Sequence, residues 1–187
     1  MTRLAPLLQH NERFARDHTP VPLGLPTARL VLVTCLDHRI DPAALLGLRP
    51  GDAPVIRNAG GRVTESVIDD VAYLAFLAES LLGATGPLFE VAILHHTQCG
   101  TGFLADPDFR RRAAQATGVS EAVLGASEVA APERTVREDV ERLLTSPLAP
   151  PAVSVSGHVL DIETGRVTTV TDARHPRRAA ATGAHPQ

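Results

Sequence analysis

The chain has 187 residues, 44% hydrophobic and 21% charged, with a formal net charge of −3. That is enough chain for one ordinary domain with a sizeable core and too little for two, and the composition excludes a disordered polymer. There is no long basic run to serve a nucleic-acid partner. No stretch approaches the roughly 20 apolar residues that a membrane span needs.

Met1 to Thr19 mixes charged residues with short apolar pieces and contains no continuous apolar targeting core. The expected address is cytoplasmic. Leu4 to Arg16 predicts a helix, and Pro20, Pro22 and Pro26 space out an extended arm. Residues 1–28 are read as a helix and arm, expected to pack on a dimer partner, with packing on their own domain as the alternative.

Leu30-Val31-Leu32-Val33-Thr34-Cys35 is a continuous apolar, β-branched run, the pattern of a buried parallel strand. It empties into Asp37-His38-Arg39. Asp41-Pro42 then reads as N-cap and first position of a short helix through Leu46. Pro54 to Arg57 predicts a second strand, running into Asn58-Ala59-Gly60-Gly61.

Ser66 and Asp69 are the expected caps of a helix over Val67 to Leu82, terminated by Gly83. It is apolar almost all round, so it is expected to be central and buried. Leu88 to His95 predicts a third strand, followed by His96-Thr97-Gln98-Cys99-Gly100. Asp106-Pro107 opens a further helix to about Ala116, and Gly118 to Ala131 shows no period.

Pro132 to Thr145 is an amphipathic helix, with Glu133/Arg137 and Glu138/Arg142 at ion-pair spacing on its solvent face. Strands are expected over Ala152 to Ser156 and over Val159 to Val170, the latter bent at Glu163-Thr164-Gly165. Residues 29–171 form the predicted domain, and 172–187 the expected disordered tail. Strands alternating with helices imply a single α/β domain with a central, mostly parallel sheet flanked by helices.

Both chemically rich clusters follow strands. In open α/β sheets ligands bind beyond the carboxyl ends of the strands, so the two clusters are expected to meet. His96-x-x-Cys99 is a spacing at which one loop supplies two zinc ligands, and Cys35 is the sequence's only other cysteine. Two thiolates and one imidazole leave the fourth position open, as a catalytic site requires. Water or Asp37 can take that position, and Arg39 can withdraw Asp37 by a two-point contact. His95 is expected to pack inside, and His38 to lie on an exposed loop.

Cys35-Leu36-Asp37-His38-Arg39 and His96-Thr97-Gln98-Cys99-Gly100 resemble the Cys-x-Asp-x-Arg and His-x-x-Cys-Gly signatures of the β-class carbonic anhydrases. Gly51-Asp52, Arg57-Asn58-Ala59-Gly60, and Gly157-His158-Val159-Leu160-Asp161 with Thr164-Gly165 resemble further segments of that family, in order, across Arg29 to Val170. The length and the His95-His96 pair are most similar to its short bacterial and actinobacterial branch, which includes carbonyl sulfide hydrolase-like proteins.

The resemblance implies one Zn2+ per subunit on Cys35, His96 and Cys99, with Asp37 and Arg39 as a catalytic gating pair and Asp37 as fourth ligand in a closed state. It implies that the Gly100 N–H helps hold bicarbonate, in a homodimer or larger assembly. Gly60 and Gly61 read first as permitting a tight turn or close backbone approach, with shaping of the substrate pocket by Gly60 as the alternative. The implied reaction is attack of zinc-bound hydroxide on CO2, giving bicarbonate and a proton. His38 and Gln98 depart from the family's usual small or acidic residues. Two other functions are compatible with the same residues: hydrolysis of carbonyl sulfide or carbon disulfide, and non-catalytic binding of zinc and bicarbonate.

Overall fold

A computed structural model describes residues 2–176. Its helices are α1 (Ala5–Asp17), α2 (Pro42–Leu46), α3 (Glu65–Ser80), α4 (Pro107–Thr117), α5 (Glu121–Ala126) and α6 (Pro132–Thr145). Its strands are β1 (Leu30–Cys35), β2 (Val55–Asn58), β3 (Glu90–His96), β4 (Ser154–Leu160) and β5 (Val167–Arg174), in the sheet order β2-β1-β3-β4-β5. Pairings are parallel except between β4 and β5. The expected α/β fold is the observed one.

The two faces of the sheet bury different sets of side chains, because successive residues of a strand point opposite ways. Val31, Val33, Val91 and Ile93 pack with Val67 and Val71 of α3 and with Val136, Val140 and Leu143 of α6. Leu32, Ala92, Leu94 and Leu160 form a second cluster that includes Cys35, Cys99, Ile40 and Val129. Both cysteines thus sit where apolar packing excludes water, at the carboxyl end of the two central strands.

Several local expectations are corrected. The N-cap of α3 is Thr64, whose hydroxyl accepts from the Val67 N–H, so the helix starts ahead of the Ser66 cap expected for it. It is also not buried all round: Val67, Ile68, Val71, Ala75 and Ala78 face the core, whereas Tyr73 and Phe76 are 62% and 63% exposed. The stretch without period contains α5, capped by Ser120 and too short to show a repeat.

His158 lies within β4, and β5 begins only after the Asp161–Gly165 turn. β5 then continues through Arg174, into the segment expected to be disordered, because Arg174 still pairs with Val155. The rest of that segment, from 177 on, lies outside the described residues. On α6, Glu138 pairs with Arg134 and Arg142 with Glu65 rather than in the two spacings expected. Helix α1 forms close to its predicted bounds but buries no residue on its own domain.

Candidate metal centre

Cys35 ends β1, His96 ends β3, and Cys99 lies in the loop that follows. Because β1 and β3 are adjacent and in register, with Thr34 opposite Leu94, their ends are held side by side. The ligand atoms of Cys35, His96 and Cys99 all lie within 4.8 Å of one another, and all three residues are buried. The two sulfurs are 3.8 Å apart.

The imidazole is pre-set for a metal. His96 Nδ1 lies 2.9 Å from the Thr97 carbonyl, an acceptor, so Nδ1 carries the hydrogen. Nε2 is then left as a bare lone pair, buried and without any hydrogen-bond partner. Buried polar atoms in folded proteins are nearly always satisfied. An orphaned nitrogen beside two buried sulfurs is the donor set that zinc prefers, and the residues fit it.

The sulfurs support the same reading. A hydrogen bond with Cys99 pushes the Cys35 thiol up, and burial adds to this. The same bond pulls Cys99 down against its own burial, aided by the Thr101 hydroxyl at 3.1 Å. One proton is in effect shared, since two adjacent buried anions repel. A divalent cation removes that repulsion and lets both thiols ionise.

Asp37 stands at the rim, with Oδ2 3.9 Å from His96 Nε2. Arg39 grips both of its oxygens and its own backbone N–H donates to Oδ1 at 2.9 Å. That guanidinium holds the carboxyl well below the usual carboxylate range. The loop carrying the pair is clamped by Arg57, which donates to the carbonyls of Cys35, Asp37 and Ile40 at 3.1, 2.8 and 3.1 Å.

Gly100 is exposed and opens the helical turn Gly100–Ala105 directly after Cys99. Gly60 is buried against Ser127 and Val129, away from open space. Gly61 rather than Gly60 touches the ligand strand: a Cβ there would lie 2.7 Å from Cys35 N. His38 is exposed and His95 fully buried, as expected. The roles of Arg57 and Thr101 were not foreseen. Arg57 stood within a quoted motif, but only the fold brings it to the 35–40 loop, and Thr101 carried no signal.

A five-stranded, mostly parallel sheet with two cysteines and a histidine at its carboxyl edge defines an α/β protein with a buried Cys-His-Cys cluster that could hold a metal ion. The family model described as Carbonic anhydrase matches residues 30–167, and the chain belongs to that family, in its β class. Beta-carbonic anhydrase 1 of Mycobacterium tuberculosis is 36% identical over 152 residues, covering 81% of this chain and 87% of that protein. A carbon disulfide hydrolase of Acidianus sp. is 30% identical over 168 residues, covering 77% and 78%. The crystal structure of the carbonic anhydrase from Streptococcus mutans superposes with a TM-score of 0.75 at 34% identity, covering 91% of this chain and 99% of that one.

Proposed function

We propose that the protein is a zinc-dependent carbonic anhydrase that reversibly converts CO2 and water into bicarbonate and a proton. The observation that carries this reading is the state of Asp37: its carboxylate is held by Arg39 beside, rather than inside, a three-ligand cluster. A purely structural or binding site would use Asp37 to close the tetrahedron. Here the fourth position is left to water or substrate.

Cys35, His96 and Cys99 hold one Zn2+ per subunit, which when bound supplies the Lewis acidity that makes water nucleophilic. Two thiolates neutralise its charge, so activity is expected to rise above neutral pH. Asp37, fixed by Arg39, accepts a hydrogen bond from the attacking water and orients it. The Gly100 N–H donates to an oxygen of the bicarbonate formed, and Gly60 shapes the pocket indirectly by its close approach to Ser127. Apolar neighbours such as Ile40 and Val129 keep bulk water out.

The active unit in this proposal is a homodimer or larger. Leu4, Leu7, Leu8 and Phe14 on α1, with Tyr73 and Phe76 on α3, are exposed apolar surface of the kind that marks a protein contact. Helix α1 and the proline arm cross to the second copy. A reducing, cytoplasmic compartment suits thiols that must stay unoxidised to bind metal. No helix among the described residues is long and apolar enough to cross a membrane.

The similarity to carbon disulfide hydrolases favours a second reading, in which the same site hydrolyses carbon disulfide or carbonyl sulfide. Stopped-flow assays of the zinc-loaded protein from about pH 6.5 to 9, with sulfide release measured on the same preparation, separate the two. Fast CO2 turnover rising with pH is the expected result. Sulfide release without CO2 turnover would move the substrate, and inactivity toward both would leave zinc or bicarbonate binding as the function.

A further inference from the structure

On the face of β3 opposite the metal ligands lies a buried polar cluster that the proposed chemistry does not use. His95 is fully buried, with Nδ1 2.8 Å from Thr135 Oγ1 of α6. Its Nε2 lies 3.2 Å from the Gly61 carbonyl and 3.2 Å from Asp139 Oδ2. Both of these partners are acceptors, so Nε2 carries a hydrogen. Asp139, only 2% exposed, also accepts from Arg62 Nε at 2.7 Å and Nη2 at 3.2 Å.

Each arm of this cluster ends on a segment that carries a metal ligand. His95 is the residue before His96. Its Nε2 secures Gly61, which packs so closely on the backbone of Thr34 and Cys35 that an added Cβ would lie 2.7 Å from Cys35 N. Arg62 Nη1 donates to the Glu128 carbonyl at 2.6 Å. The neighbouring Val129 packs in one cluster with Cys35 and Cys99, and its carbonyl abuts Gly102 in the turn after Cys99. Stability alone is a poor account of this arrangement, because a buried ion pair contributes little beyond apolar residues of the same shape.

We propose that His95, Asp139 and Arg62 are positioning residues of the metal centre, a buried bracket that fixes Cys35, His96 and Cys99 together from the far side of the sheet. The proposal rests on those three residues binding zinc. Hydrogen-bonded groups that orient metal ligands typically govern affinity by 10–100-fold. Here that effect passes through backbone placement, since the bracket touches no ligand side chain.

The test compares the full zinc-loaded chain with His95→Gln, Asp139→Asn and, as control, Val136→Ala, a fully buried apolar neighbour on the same helix. Three quantities are read: zinc release to a chromophoric chelator, the visible spectrum of the cobalt(II)-loaded chain, and Tm. The two polar variants are expected to release zinc about 10–100-fold faster and to alter the cobalt spectrum. Val136→Ala is expected to lower Tm while keeping wild-type release and spectrum. Unchanged release and spectrum in Asp139→Asn, or equal changes in Val136→Ala, would overturn the bracket.

Should Asp139→Asn not fold, Arg62→Lys carries the same test, since it keeps the charge but loses the reach to Glu128. A wild-type chain that takes up no zinc would overturn the metal site itself. Wild-type zinc binding with unaffected variants would overturn the bracket alone.

Discussion

Arg39 holds Asp37 at two points, Nε to Oδ1 at 2.9 Å and Nη2 to Oδ2 at 2.7 Å, and the same Nη2 also reaches the Gln98 carbonyl at 2.8 Å. The arginine therefore ties the loop after β1 to the loop after β3, while turning the carboxylate aside. A planar guanidinium makes these contacts from two nitrogens held in a rigid fork, which the single nitrogen of an ammonium does not offer.

Replacing Arg39 by Ala frees Asp37 to move onto the metal. Turnover of CO2 at neutral pH is expected to fall by about 100-fold, with zinc content unchanged by elemental analysis. Arg39→Lys is expected to recover only a small part of the loss. Full activity in Arg39→Ala would remove the gating role.

Cys35→Ser, His96→Ala and Cys99→Ser are each expected to lose zinc, measured as metal per subunit after dialysis. Asp37→Ala should keep its zinc and lose most turnover, because it removes the group that orients the attacking water. Zinc occupancy at the wild-type level in any of the three ligand variants contradicts the assignment.

Gly61 has φ of 68°, in the left-handed region, and a Cβ there would sit 2.7 Å from Cys35 N and 2.8 Å from the Thr34 carbonyl carbon. Both clashes are with backbone, which has no rotamer to escape into. Gly61→Ala is expected to cost at least roughly 2 kcal/mol, read by denaturant melts. It should weaken zinc binding as well, since the displaced strand end carries Cys35.

His158 in β4 offers a pH test away from the metal. Burial pushes its pKa below the ordinary histidine value, against the pull of Glu90 and Asp172. The unfolded chain takes up a proton near pH 6.5, and the folded chain resists it. The stability associated with neutral His158 is therefore intact above that pH and declines as pH falls through it. Between about pH 7 and 5, Tm of the wild type should drop more than that of His158→Gln; parallel curves would refute this.

Much of the site was legible because its residue types are scarce and its positions follow strands. With two cysteines in the whole chain and one His-x-x-Cys, little choice of ligands remained. Strand β1 and helix α6 fall where composition and period placed them. The start of α3 was misread because Thr64 and Ser66 are both competent caps, and only packing chooses between them. The bracket of His95, Arg62 and Asp139 was invisible for another reason. Its members are ordinary residues on separate elements, joined only by how α6 is rotated on the sheet.

The adjacency of β1 and β3 has a consequence for how this chain tolerates change. Cys35 and His96 sit one residue out of register on neighbouring strands about 4.8 Å apart, so their separation is set by the sheet and not by the polypeptide that runs between them. That crossover passes through the Gly83–Gly86 turn, where both glycines have open space around them. Residues inserted there lengthen the route from one ligand to the other without widening the distance they span, so the metal centre is insulated from growth of that loop.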